Sequence, residues 1–194
     1  MDYIVNRAAD LGLFIGMLPT WGDKWNLLWG VGPELFTAEN AYRYGLFLGK
    51  RYADAPIIWI LGGDRPIECG HHADITEAMA KGVREGDGGA HLISFHPSGG
   101  HSSSEYWHKA EWLDFNMLQS GHTRNCDNYN RVAADYAHTP IKPCMDAEPA
   151  YEDHPASFKL ENGYMDDYDV RKGLNWGLFS GACGHTYGCH EIWQ

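Results

Sequence analysis

The sequence predicts an α/β protein of the (β/α)8 TIM-barrel class, here an incomplete barrel supplying about strands 3 to 8. Three observations predict it. First, short apolar runs alternate six times with stretches of helical period along 194 residues. Strict alternation implies parallel strands joined by right-handed crossovers. Second, almost every run ends in a polar or aromatic cluster: Trp21-Gly22-Asp23, Gly62-Gly63-Asp64-Arg65, His96-Pro97, Gln119-Ser120-Gly121-His122, Asp146-Ala147-Glu148 and His185-Thr186-Tyr187. A doubly wound sheet gathers its site at one switch point. A barrel collects side chains from the C-terminal end of every strand around one mouth. Third, a complete barrel takes about 250 residues and eight units. The expectation is therefore one partial barrel domain over 1–194, lacking the first two βα units and the last helix. Such a piece, with open sheet edges, is expected to be poorly soluble or inactive by itself.

The elements follow in order. Asp2 to Leu11 reads as a short amphipathic helix with Ile4, Val5, Ala8 and Ala9 inward. Leu13 to Leu18 is a continuous apolar run of buried-parallel-strand type. Thr37 caps a helix with Ala41, Tyr44, Gly45, Leu48 and Tyr52 on one stripe. Pro56 stops it, and Ile57 to Leu61 is the next strand. Asp74 and Glu77 resemble a capping box opening a helix with Ile75, Ala78, Met79, Gly82 and Val83 on one face. Leu92 to Phe95 and Leu113 to Leu118 are further strands, separated by a Trp-containing crossover. A helix presenting Tyr129, Val132, Ala133, Tyr136 and Ala137 comes next. Ile141 to Met145 is a strand despite Pro143, which removes a donor. A helix with Val170, Leu174 and Leu178 leads to a last strand at Gly181 to Tyr187.

Composition narrows the function classes. Hydrophobic residues make up 44 % and charged residues 21 %, which is a core-forming balance. The net charge of −11 and the lack of clustered Lys/Arg argue against nucleic acid. No apolar run approaches the ~20 residues of a membrane span. Neither a signal peptide nor a CxxC pair is visible, and Cys144 and Cys183 read as small buried hydrophobes. Eight Trp and 11 Tyr exceed what a core needs and suit a cleft that stacks rings on a ligand.

Two acids stand out. Asp64 follows Ile-Trp-Ile-Leu-Gly-Gly, whose glycines let the backbone turn sharply at a strand end. Glu148 follows Cys-Met-Asp-Ala at the end of another strand, 148 − 64 = 84 residues and three strands on. In a barrel of eight those strands face one another across the mouth. Two facing carboxyls are what glycosidic cleavage needs: one protonates the leaving oxygen, and the other attacks the anomeric carbon or activates water. Burial near Trp would keep one of them protonated. The plainer alternatives are a helix-capping or Arg65-paired Asp64 and a solvated Glu148.

Blocks throughout the chain resemble the apiosidase-like (β/α)8 domain of glycoside hydrolase family 140. They are Leu18 to Trp25, Trp59 to Pro66, Ser94 to Pro97, Gln119 to His122, Asp146 to Glu152 and Gly184 to Gly188. The resemblance implies Asp64 as acid/base and Glu148 as nucleophile. It also implies removal of an apiose-linked side chain from the pectin rhamnogalacturonan II with retention of configuration. Members of that family usually carry an export signal and a small C-terminal β domain. A secreted or periplasmic full-length protein, with flanking barrel segments and that domain as partners of this one, is the corresponding expectation.

The remaining candidates are substrate contacts. Trp21 and Trp25 would stack on sugar faces, unless they close the barrel top. Asp23 would bond a hydroxyl or shape a turn. Arg65 suits an ion pair better than a substrate contact. His96 and His122 would position a carboxylate or touch substrate, Gln119 would read a hydroxyl, and Tyr151 lies in the Asp146 block. His185 and Tyr187 alternate on a strand and so share a side, from which Tyr187 would bond the nucleophile. Trp193 would wall the pocket or cover a helix. His71, His72, His96, His101, His122, His185 and His190 invite a metal reading, but no HExxH or other compact ligand spacing occurs. No metal and no cofactor is expected. Two other classes compete: a carbohydrate-binding barrel without turnover and a metal-dependent barrel hydrolase.

Overall fold

A computed structural model describes residues 1–193, the side chain of Trp193 excepted. The chain divides into two compact units. The first comprises Met1–His96 and Ala110–Asp114, and the second Pro97–Lys109 and the residues from Phe115 onward.

The first unit carries a parallel sheet of β1 (Ile15–Met17), β2 (Ile57–Gly62) and β3 (Ile93–His96), in that order. Register is set by Met17 beside Trp59 and by Gly62 beside His96. Ile57, Trp59, Ile93 and Phe95 are buried, which is why this run of β-branched and aromatic residues adopts a parallel strand pair. Three helices belong to this unit: α1 (Asp2–Asp10), α2 (Ala38–Arg51) and α3 (Gly70–Gly86). Thr37 and Asn40 form the capping box that opens α2. The helices α2 and α3 meet backbone to backbone. A Cβ on Gly45 would lie 2.6 Å from the Met79 carbonyl oxygen, and one on Gly82 would overlap the Tyr42 carbonyl.

The second unit repeats the pattern with β4 (Asn116–Leu118), β5 (Cys144–Asp146) and β6 (Gly184–His185), again parallel and in sequence order. The short α4 (Ser104–Trp107) precedes β4. The helix α5 (Asn128–Tyr136) separates β4 from β5, α6 (Asp167–Phe179) separates β5 from β6, and α7 (His190–Trp193) follows. Leu118, Val132 and Cys144 form one buried cluster, and Ala150, Ala156 and Met165 another.

The named strands pair in parallel among the described residues, as the alternation requires. Several local expectations are corrected. In α1 only Val5 is buried; Ile4 is 58 % exposed. The strand expected from Leu13 narrows to three residues, with Leu13 and Phe14 exposed. The helix α3 begins at Gly70, not at Asp74, and the Glu77 carboxylate accepts from Trp112 Nε1 at 3.0 Å rather than capping a helix start. The inward face of α5 is Asn128, Val132 and Asp135, while Tyr129 and Tyr136 are exposed. Its polar residues are buried because each has partners. Asn128 Nδ2 donates to the Gly173 carbonyl at 2.8 Å, and Asp135 accepts from the hydroxyls of Ser102 and Ser104 at 2.6 Å each. Leu178 is exposed on α6, where Gly173 and Gly177 face inward instead. Cys183 is exposed, unlike Cys144.

Candidate active site

In the first unit, the end of β2 turns through three consecutive left-handed residues: Gly62 at φ 89°, Gly63 at 94° and Asp64 at 59°. Glycine is required at the first two. A Cβ on Gly62 would overlap the His96 carbonyl, and one on Gly63 would lie 2.8 Å from the Gly22 nitrogen. The third carries a side chain in a conformation that costs an L-residue roughly 1–2 kcal/mol and that Asp tolerates better than most. Surrounding bonds hold it there. The Asp64 N–H donates to His96 Nδ1 at 3.2 Å, and Arg65 Nη1 donates to the Asp64 carbonyl at 2.7 Å. A ring nitrogen that accepts carries no proton, so the hydrogen of the neutral His96 imidazole sits on Nε2.

Trp21 lies beside this turn, half exposed, with its ring 6.1 Å from that of His96. Trp21, His96 and Asp64 are therefore brought together. Three other candidates are buried supports, Arg65 in the ion-pair role expected of it. Asp23 spends Oδ2 on Lys24 Nζ at 3.0 Å and on the Gly32 N–H at 3.1 Å, and the Lys24 bond holds its carboxyl below the usual range against the opposing effect of burial. Trp25 is 3 % exposed and donates Nε1–H to the Gly62 carbonyl at 3.1 Å. Arg65 is 1 % exposed. Its Nε donates to the Asn26 carbonyl at 3.0 Å, Nη1 lies 3.5 Å from Asp64 Oδ2, and its guanidinium sits over the Trp29 ring at 4.3 Å. These groups stiffen the loop that presents Asp64.

In the second unit, Glu148 follows β5 and is tied to the loop after β4. Its carbonyl accepts from the Gly121 N–H at 3.0 Å. Its carboxylate Oε1 lies 3.1 Å from His122 Nε2, while His122 Nδ1 lies 3.0 Å from the Pro149 carbonyl. The His122 ring packs against Tyr151 (4.3 Å), His154 (4.9 Å) and Phe158 (5.2 Å). His122, Tyr151 and Glu148 are thus one cluster.

Beneath Glu148, Asp146 is fully buried and accepts from Ser120 Oγ at 2.6 Å and Asn128 Nδ2 at 3.1 Å. Burial pushes its carboxyl up, and those bonds oppose the shift. His185 pairs with it across β5 and β6, and burial pushes the imidazole down. Among the described residues, His185 Nδ1 and Gln119 Oε1 are buried without a hydrogen-bond partner.

Tyr187 departs from expectation. It lies beyond β6, 59 % exposed, and its hydroxyl donates to Glu152 Oε2 at 2.7 Å, not to Glu148. That bond pushes the phenol up to about 12. The strand ends at His185, so the assumed alternation does not reach position 187. Trp193 closes α7, and its side chain lies outside the described residues. Sequence reasoning missed His154, Phe158 and Asn128. The sequence carries no signal for the first two, which a loop folds onto His122. For Asn128 the only hint was its place beside the Tyr129 stripe. Among the described residues, no three His, Cys, Asp or Glu side chains group to hold a metal ion, and no helix is long and apolar enough to cross a membrane.

The model of the apiosidase-like catalytic domain matches residues 1–194. No curated protein matches. Among solved structures, a protein described as a glycoside hydrolase family 5 from Bacteroides vulgatus ATCC 8482 is similar at 38 % identity and a TM-score of 0.89, over 100 % of this chain and 44 % of that one. A second, described as a glycoside hydrolase, is similar at 38 % identity and a TM-score of 0.88, over 99 % of this chain and 45 % of that one. The chain thus spans less than half the length of these structures. With the whole chain matched by one family model and both solved relatives at 38 % identity, the chain belongs to the apiosidase-like catalytic-domain family of glycoside hydrolases.

Proposed function

We propose that this domain cleaves an apiose-containing pectic oligosaccharide of rhamnogalacturonan II type, with retention of configuration. Asp64 serves as acid/base and Glu148 as nucleophile. In this reading the chain supplies about strands 3 to 8 of a barrel. The observation that carries the proposal is that each acid leaves the C-terminal end of a parallel strand beside a histidine: His96 Nδ1, at the end of the next strand, accepts from the Asp64 backbone N–H, and His122 Nε2, in the loop after the preceding strand, lies 3.1 Å from Glu148 Oε1.

The chemistry follows from the two environments. Asp64 gives its proton to the glycosidic oxygen as the bond to the anomeric carbon breaks, while Glu148 attacks that carbon from the opposite face and forms a glycosyl ester. The aglycone leaves. The Asp64 carboxylate then takes a proton from water as the water oxygen attacks the same carbon and releases Glu148. Trp21, half exposed beside Asp64, offers a flat face to a sugar ring.

The test is sugar release from rhamnogalacturonan II oligosaccharides by the whole gene product, followed by mass spectrometry. Asp64→Asn keeps a residue that tolerates the left-handed backbone, and Glu148→Gln keeps shape. Each is expected to lower release by about 10³-fold or more while binding persists. If either variant released sugar at the unmodified rate, the pair would not be catalytic. If the unmodified protein bound the oligosaccharide and never released product, the domain would be a binding module.

A further inference from the structure

His122 has two fixed neighbours whose chemistry determines where its protons are. Nδ1 lies 3.0 Å from the Pro149 carbonyl, which only accepts, so Nδ1 carries a hydrogen. Nε2 lies 3.1 Å from Glu148 Oε1. A bare Nε2 lone pair facing a bare carboxylate would be repulsive, so one proton lies between them. It sits either on Nε2, giving imidazolium and carboxylate, or on Glu148, giving two neutral groups.

The surroundings favour the first form. Among the described residues, the rings against His122 belong to Tyr151, His154 and Phe158, none of them a carboxylate. Tyr151 presents a ring at 4.3 Å. His154 is 2 % exposed and donates Nδ1–H to the Pro155 carbonyl at 2.8 Å; burial, together with neighbouring His122 and His190, holds its pKa down. His190 lies beyond His154, ring to ring at 5.1 Å. Glu152 is engaged with Tyr187. One positive charge in this stack is best placed on His122, against the carboxylate that compensates it.

We propose that His122 is a positioning residue that pairs as an imidazolium with Glu148. It holds Glu148 as an aimed carboxylate until attack, and the Pro149 carbonyl keeps the ring from turning away. The inference rests on the reading of Glu148 as nucleophile. It adds a consequence: the pair needs one proton to be competent.

The experiment joins kinetics to side-chain nitrogen NMR on the whole gene product, with rhamnogalacturonan II oligosaccharide as substrate. His122→Ala is expected to lower kcat by about 10- to 100-fold, the worth of one charge-assisted hydrogen bond, with KM moved less than about threefold. His122→Asn keeps a neutral donor but does not titrate. It should recover part of kcat. NMR should show both His122 nitrogens protonated in the unmodified protein at its pH of highest rate, and Nε2 deprotonated in Glu148→Gln. A His122→Asn kcat no higher than that of His122→Ala would overturn the proposal. So would an unprotonated Nε2 in the unmodified protein, a readout that needs no folded His122 variant. Full activity in Glu148→Gln would instead remove the nucleophile assignment and leave the NMR result to report the pair alone.

Discussion

A single carbonyl shows how much one residue carries in this chain. The Gly62 carbonyl accepts from Trp25 Nε1, and a Cβ on Gly62 would overlap the His96 carbonyl, two residues from the Asp64 turn. Gly62→Ala is therefore expected to destabilise by about 2–4 kcal/mol, combining a left-handed backbone penalty with overpacking, and to lower kcat by displacing Asp64. Denaturant midpoints and sugar-release rates test both parts, and an unchanged midpoint would refute the close approach. Trp25→Phe keeps the apolar wall and removes the donor. It is expected to cost about 1–3 kcal/mol because the buried carbonyl loses its partner. If the variant were as stable as the parent, Trp25 would not be the support assigned here. At this scale the Gly-Gly-Asp segment was legible in the sequence, because two glycines after an apolar strand have few other uses. The burial of Asp23 and Arg65 was not, since their partners Gly32 and Asn26 are 9 and 39 residues away.

Elements depend on their neighbours more than on their own propensities. An isolated helix gains about 0.5–1 kcal/mol when an interior Gly becomes Ala. Between α2 and α3 the sign reverses, because Gly82 sits against the Tyr42 carbonyl and Gly45 against that of Met79. Gly82→Ala is expected to lower the melting temperature, with a net loss of about 1–3 kcal/mol from forced separation of the helices. A higher melting temperature would mean the helices have room to part. In α5, burial pushes the Asp135 carboxyl up, while the bonds from Ser102 and Ser104 oppose the shift. A raised carboxyl favours its neutral form in the fold, so native protein binds more protons than unfolded protein. Its contribution is complete below the unfolded value of about 3.9 and falls as pH rises through the higher folded value. Asp135→Asn removes that loss. The melting temperature of Asp135→Asn minus that of the parent should rise from about pH 4 upward and then level off. A difference independent of pH would show that the acid is not destabilised by burial. The apolar stripe at Tyr129 and Tyr136 misplaced this face because the hydroxyls that make Asp135 buriable come from 31 and 33 residues away.

At the scale of the molecule, the proposed chemistry makes one claim no local substitution addresses. Carboxyl groups about 5–5.5 Å apart give retention, and about 6.5–9.5 Å apart give inversion. The expected product carries the anomeric configuration of the substrate when proton NMR reads it before mutarotation. An inverted product would remove the nucleophilic role of Glu148 and make it a base.

What the sequence determined by itself is the order of parallel strands, the polar clusters at their ends and the two acids among them. These are local signals, written in apolar runs, glycines and short motifs, so neighbouring residues suffice to read them. Tertiary structure alone decided which of those polar groups are buried as braces and which stay accessible at the strand ends. It turned Tyr187 toward Glu152, buried Trp25 beneath Asp64 and set His122 between Pro149 and Glu148. The physical reason is that a polar side chain goes where its hydrogen bonds are completed, and in this chain the partners are separated by tens of residues.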